Sequence, residues 1–396
     1  MSARRLRLIE PFHAMALLAR ARRLEAEGHS VVHMEIGEPD FVTPRPIVEA
    51  GMRALDGGQV HYTPATGLPQ LRDALAGYYR DHFGVEVDPR RILVTPGASG
   101  ALMLALALFV ESGVEVMMTD PGYPCNRNFV YLFDGTPVAV PVGAEQRYQL
   151  TPALLQQYWS ERTRCLLVAS PSNPTGTRIE SGVLSELHRL VRARGGHMIV
   201  DEIYQSLYYG ERPQTALALG DDLFVINSFS KYFGMTGWRL GWLVAPPEYV
   251  ERLDVLAQNL YLAAPTPAQH AALAAFTDDS LEILEQRRHE YRRRRDYLLP
   301  ALRRIGFDIP VEPDGAFYLY ADCSRFSADS FAFANALLEE AGVALTPGID
   351  FGRYRAETHL RIAYTTSQDR LQEGVERIAA FVDRLAGSEP GSTSGK

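Results

Sequence analysis

GHMIVDE, residues 196–202, is a short apolar run that stops on two acids. Its brevity and its β-branched and long apolar side chains make it a strand rather than a helix. Outward from it, six further runs share this shape: RILVT (91–95), VEVMMT (114–119), PVAVPV (137–142), RCLLVAS (164–170), LFVINS (223–228) and RLGWLVAP (239–246). Amphipathic stretches at 98–111, 179–195 and 248–262 separate several of them. Strand–helix alternation of this kind predicts an α/β layered domain with a largely parallel sheet. Unbroken apolar runs fit strands covered on both faces.

The flanking chain has a different texture. Residues 12–27 show helical spacing, with Phe12, Met15, Leu18 and Leu24 as the apolar positions. Residues 31–46, which contain GEPDFVTPRP, read as loop, and helical patterns follow at 46–56 and 68–83. Beyond 280 come a long charged helix (281–304), short strands near 317–320 and 360–364, and helices at 327–341 and 367–385. These predict a second, smaller α+β domain. The expected division is an N-terminal segment 1–45 joining the small domain, a large domain 46–285, a small domain 286–386, and a low-complexity, disordered tail 387–396.

Composition narrows the function. The 396 residues are 46% hydrophobic, enough to bury sizeable cores in two or three domains. A formal net charge of −8 argues against nucleic acid as the default partner, because phosphate backbones demand clustered positive charge. The one basic run, QRRHEYRRRR at 286–295, reads as the solvated face of a helix, with a partner or nucleic-acid patch as the alternative. Cys125, Cys165 and Cys323 are too scattered for a disulfide framework or a zinc site, which points to a reducing, cytoplasmic setting. The N-terminus lacks the apolar core of a signal peptide. The longest apolar stretch, 101–110, is about half of what a membrane-spanning helix needs. Dinucleotide, P-loop, zinc-protease and serine-hydrolase signatures are missing from the sequence. Of 40 Lys and Arg residues only two are lysines, Lys231 and the terminal Lys396.

In open α/β sheets, ligands gather at the carboxyl ends of the strands. After RILVT comes PGASGAL, a Gly-rich turn into an apolar helix whose first N–H groups suit a phosphate. Tyr123 follows VEVMMT, and Asn173 follows RCLLVAS in PSNPTG. Asp201, then Glu202 and Tyr204, follow HMIV. An acid there is at least partly buried and must pair with a cation or a donor, unless it only caps a helix. Ser228, Ser230 and Lys231 follow LFVIN, and Arg239 opens the next run. A lysine amine forms a Schiff base with a carbonyl. An aldehyde cofactor bearing a phosphate and a pyridine ring would use every one of these groups, with the acid keeping the ring nitrogen protonated.

The ordered motifs GEPDF (37–41), HYTPATGLPQLRDAL (61–75), PGASGAL (96–102), DPGYP (120–124), SPSNPTG (170–176), DEIY (201–204), SFSKYFGMTGWRLGW (228–242), LTPGIDFG (345–352) and LRIAY (360–364) cover almost the whole chain. In these the sequence resembles the class I/II, fold-type I aminotransferases dependent on pyridoxal 5'-phosphate. The resemblance implies a three-layer α/β/α large domain with a mainly parallel seven-stranded sheet, plus the smaller α+β domain. It implies that Lys231 forms the internal aldimine and shuttles the proton, and that Asp201 faces the pyridine nitrogen. Asn173 and Tyr204 would donate to the ring's phenolic oxygen, and Tyr123 would stack on the ring. Ala98, Ser99, Ser228, Ser230 and Arg239 would cradle the phosphate. Tyr62 would reach the phosphate of a neighbouring subunit, which implies a homodimer. Arg361 would grip the substrate α-carboxylate as a bidentate fork, beside Gly37 and Asn173. Taken alone, Arg361 is a solvated strand arginine, Tyr62 a loop tyrosine and Gly37 a turn glycine.

The expected activity is amino-group transfer between an L-amino acid and a 2-oxo acid, in amino-acid metabolism. Two alternatives share the fold. A carbon–sulfur β-lyase uses the same chemistry up to the carbanion, although MTGWRLGW after the lysine looks more like aminotransferases. A transcriptional regulator would need a DNA-binding domain, and about 35 residues precede GEPDF. The donor and acceptor stay open. Arg127, four residues after Tyr123, either faces a distal carboxylate or is structural.

Overall fold

The seven apolar runs form one sheet. The computed structural model describes residues 3–387. In it the strands lie in the order Ile92–Thr95, Gly241–Val244, Phe224–Ser228, His197–Asp201, Thr163–Ala169, Glu115–Asp120 and Thr136–Pro141. All neighbours are parallel except Gly241–Val244, which runs antiparallel to both strands beside it. The inner strands are buried along most of their length, as their apolar runs require, with Arg164 the exposed exception. Thr136–Pro141 lies at the edge, is largely accessible and carries Pro137 and Pro141, residues tolerated where no further strand needs their N–H. The mainly parallel seven-stranded sheet is the one the sequence implied.

This sheet belongs to a first compact unit comprising residues up to Glu10, Phe41–Glu290 and Pro313–Ala316. A second unit comprises Pro11–Asp40, Tyr291–Glu312 and the chain from Phe317 onward. The sequence division falls at 45/46 and 285/286; here residues 3–10 and a four-residue return, Pro313–Ala316, group with the large unit. Of the expected tail, residues 388–396 lie outside the described residues. In the second unit, Thr346–Pro347, His359–Ala363 and Tyr318–Asp322 form an antiparallel sheet with His359–Ala363 in the middle. Val32–His33, inside the stretch read as loop, pairs in parallel with Val343–Ala344. Helices His13–Ala26, Ser330–Ala336 and Gln368–Gly387 belong to it, as do residues 291–305 of the helix Asp278–Ile305.

Three helices were not legible in the sequence: Pro124–Leu132, Pro152–Tyr158 and Thr266–Leu273. Each has a proline in its first turn. Proline there has no intrahelical N–H bond to lose, so a residue that looks like a breaker starts a helix.

The basic run is not simply a solvated face, which corrects that expectation. It lies in the helix Asp278–Ile305, and Arg288, Arg294 and Arg295 are buried. Each is matched. Arg288 donates to Glu285 and to the Tyr208 carbonyl, at 2.7 and 3.0 Å. Arg294 pairs with Asp40 at 2.8 Å, and Arg295 pairs with Asp296 at 2.6 Å and Glu312 at 3.1 Å. Paired guanidinium groups can be buried where lone ones cannot. Among the described residues, no helix is long and apolar enough to cross a membrane.

Candidate active site

Adjacent parallel strands deliver adjacent side chains. Asp201 is the last residue of His197–Asp201, Ser228 the last of Phe224–Ser228, and Asn173 lies four residues beyond Thr163–Ala169. These three strands are neighbours in the sheet, so their carboxyl ends open at one edge. Tyr204 follows Asp201 in a turn and is buried, and Tyr123 precedes the helix Pro124–Leu132.

Asp201 is not a helix cap. Its Oδ1 accepts a hydrogen bond from the Ile203 N–H at 3.0 Å, which fixes the carboxylate in its turn. Burial pushes its pKa up to about 6, while the Ile203 N–H and the charge of Lys231 pull the other way. The acid therefore feels the one lysine of the protein's interior sequence. Its neighbour Glu202 is also buried and accepts from the Thr215 hydroxyl at 2.8 Å and the Ala216 N–H at 2.6 Å. Burial pushes Glu202 up to about 8, with the charge of Asp201 adding to it.

That proton on Glu202 has a consequence for stability. The folded chain keeps it where an unfolded chain, with a carboxyl near 4.5, has released it. The folded state then binds more protons, and stability falls as pH rises from about 4.5 to about 8. In cofactor-free protein, Glu202→Gln should flatten this decline and raise the melting temperature at pH 8 above that of the parent. Melting curves of the two proteins that stay parallel from pH 5 to 8 would contradict it.

The strand Phe224–Ser228 runs into a polar turn. The Ser228 hydroxyl accepts from the Ser230 N–H at 3.0 Å and donates to the Ser230 hydroxyl or to the Leu240 carbonyl, at 3.0 and 3.1 Å. Arg239 follows with φ +55° and an exposed side chain. Its guanidinium lies over the start of the helix Gly97–Ala107: a Cβ on Gly97, whose φ is +70°, would sit 2.6 Å from Arg239 Nη2. Gly241 closes the same corner, since a Cβ there would meet the Gly97 carbonyl carbon at 2.7 Å and the Ala98 nitrogen at 2.8 Å. Two glycines thus let a strand, a guanidinium and a helix N-terminus converge, with Ala98 and Ser99 in the first turn. Free N–H groups, an arginine and two hydroxyls there make an anion site.

In the second unit, Arg361 sits mid-strand in His359–Ala363 and is 2% exposed, so it is no solvated arginine. Its guanidinium carbon lies 4.5 Å from the Tyr318 ring centroid and 4.8 Å from that of Phe351, held between two aromatic faces. Its Nη2 donates to the Glu35 carbonyl at 2.5 Å. A Cβ on Gly37 would overlap the Tyr318 hydroxyl, so glycine is required at that approach. Tyr62 is 82% exposed. Sequence reasoning did not find Gly241, Tyr318 or Phe351 as parts of these arrangements. Gly241 alone had a local signal, a glycine breaking an apolar strand.

Comparison with known proteins gives consistent relatives. Residues 29–378 match the family Aminotransferase class I and II. A valine–pyruvate aminotransferase of Mycobacterium tuberculosis is 38% identical over 377 residues, 94% of this chain and 97% of that protein. A (5-formylfuran-3-yl)methyl phosphate transaminase of Methanocaldococcus jannaschii is 36% identical over 97% of this chain and 100% of its own length. Among solved structures, an aspartate aminotransferase of Thermus thermophilus with maleate superposes with a TM-score of 0.91 at 35% identity, covering 96% of this chain and 99% of that one.

Proposed function

The chain belongs to the class I and II aminotransferases, pyridoxal phosphate enzymes that move an amino group between an amino acid and a 2-oxo acid, and we propose that Lys231 is the residue at which this chemistry turns. The observation that carries the reading is the coupling of buried Asp201 to Lys231, the only lysine between the chain's ends.

The donor set fits the cofactor. Gly97 and Gly241 leave room beside Arg239, Ala98, Ser99, Ser228 and Ser230 for a phosphate, and Asp201 is the matching anion for a protonated pyridine nitrogen. Asn173 and Tyr204 would hold the phenolic oxygen as donors, and Tyr123 would supply the aromatic face for the ring. Bound there, pyridoxal phosphate supplies an electron sink for the pair left when the substrate Cα–H bond breaks. Lys231, as a neutral amine, would be the base that accepts the Cα proton and the acid that gives it up again. Asp201 keeps the proton on the pyridine nitrogen. Arg361, stiffened by its two aromatic walls, takes the α-carboxylate common to donor and acceptor, and Gly37 packs on one of those walls, Tyr318. Substituting Gly241→Ala should wedge the strand against the helix start and weaken cofactor binding about tenfold or more. Fluorescence titration with pyridoxal phosphate reads this, and an unchanged affinity would remove the corner from the cradle.

We infer a homodimer in which Tyr62 serves the neighbouring subunit. Support comes from the exposure of Val42, Met52, Leu55, Val60 and Tyr62 within one short stretch. The free thiols of Cys125, Cys165 and Cys323 support a cytoplasmic setting. The reading is tested by mixing holoenzyme with L-alanine, L-valine, L-aspartate, L-glutamate and L-phenylalanine in turn and following the cofactor's visible band. Conversion of the aldehyde to the amine form by at least one donor is expected. Conversion by none overturns the reading, and pyruvate with ammonia from a β-substituted donor, without any acceptor, would identify a lyase instead.

A further inference from the structure

The helix His13–Ala26 has no cap of its own. Its N-cap residue is Phe12, no side chain there accepts a hydrogen bond, and its first turn holds no acid. Such a start leaves N–H groups unmatched and costs helix stability. The cap comes from far along the chain. Asp350 Oδ1 accepts from the His13 N–H and Oδ2 from the Ala14 N–H, both at 2.8 Å. The carboxylate is 2% exposed, and the partial positive charge of the helix end offsets its burial.

Asp350 ends a turn tied directly to Arg361. Thr346 pairs with Arg361 across the sheet, and the turn Gly348–Asp350 follows at once. This turn is tight, because a Cβ on Gly348 would run into the Ala356 and His359 carbonyls. The next residue, Phe351, is one of the two aromatic walls of the Arg361 slot. At the other end of the same N-terminal segment, the Glu35 carbonyl accepts from Arg361 Nη2.

We propose that Asp350 is a positioning residue. By capping the helix His13–Ala26 across the chain, it holds the turn that sets the Phe351 wall, so that docking of this helix and recognition of a carboxylate at Arg361 are coupled. The proposal rests on Arg361 as the α-carboxylate site. Neither contact is visible in sequence spacing, since Asp350 and Ala14 are 336 residues apart. Loss of the cap frees the turn, loosens the slot and weakens binding of donor and acceptor alike, because both present the same carboxylate. A contact made equally in ground and transition state changes KM and spares kcat.

The test uses holoenzyme with the best donor of the panel and pyruvate or 2-oxoglutarate as acceptor. Asp350→Ala should speed amide exchange over residues 13–26 and raise both KM values about tenfold, with kcat within about threefold. Asp350→Asn, which keeps one acceptor oxygen, should give a smaller change of the same pattern and serves if the alanine variant does not fold. A local cap then separates positioning from mere capping. Adding Phe12→Ser to Asp350→Ala, with Phe12→Ser alone as the baseline, should restore helix protection and leave both KM values raised. Restoration of both, or faster exchange with unchanged KM values, or no change in either, overturns the proposal. Arg361→Lys tests the premise separately: if it leaves both KM values unchanged, the carboxylate assignment fails whatever the Asp350 variants do.

Discussion

Replacing Lys231 with alanine should lower kcat by about 10⁴-fold, the upper end for removing a general acid–base group. Lys231→Arg should be as damaging. Arginine keeps the positive charge that Asp201 feels, but it is not deprotonated in proteins and cannot act as a neutral amine. The pair of variants therefore separates amine chemistry from charge. Neither should unfold the protein, because Lys231 is only partly buried and its removal opens no apolar cavity. A second readout needs no turnover. Borohydride reduction of the holoenzyme should fix the cofactor to one internal peptide, the one containing Lys231, since no other lysine precedes Lys396. An arginine variant that retains a tenth of the parent activity, or label found only in the terminal peptide, would end the assignment.

The sequence was legible where function and fold use the same local signal. Unbroken apolar runs such as HMIV and LFVIN specify buried parallel strands, and the polar residue that ends each run is placed at the sheet edge by that same fact. Asp201 and Ser228 were readable for this reason. The scarcity of lysine sharpened the case for Lys231, because arginine can replace lysine on a surface but not as an amine. Contacts set by distant parts of the chain were illegible. Arg361 alone is a strand arginine, and only the folded rings of Tyr318 and Phe351 make it a buried, oriented one. Asp350 is one acid among many until the uncapped helix start at His13 lies against it. The arginines at 288, 294 and 295 failed differently. A charge run normally marks solvent, and what overrode this was the matching acids Glu285, Asp40 and Glu312, which no pattern in the run announces.

Asp201→Asn should lower kcat by about 10³-fold while leaving the protein folded. A carboxylate about 4 Å from a cation is worth about 4 kcal/mol at the effective dielectric of a protein site, and each 1.4 kcal/mol is a factor of ten in rate. Asparagine fills the same volume and keeps the oxygen that accepts from Ile203, but it cannot hold a proton on the pyridine nitrogen. The substitution also removes a charge whose burial is unfavourable, as the rise of the Asp201 pKa to about 6 records, so melting temperature at neutral pH should hold or increase. Loss of activity with gain of stability is a signature that damage to the fold cannot produce. Cofactor affinity adds a pH test. Below about 6 the carboxyl of the cofactor-free protein takes up a proton and loses the charge that pairs with the pyridinium, so affinity for pyridoxal phosphate should weaken as pH falls from 7 to 5. In Asp201→Asn this part of the pH dependence should vanish and leave a uniformly weaker site. A variant with parent-like kcat, or with the parent's pH dependence intact, would require another residue to hold the ring proton. Among the described residues, the other acid buried at that strand end is Glu202, and its carboxyl is already engaged by Thr215 and Ala216.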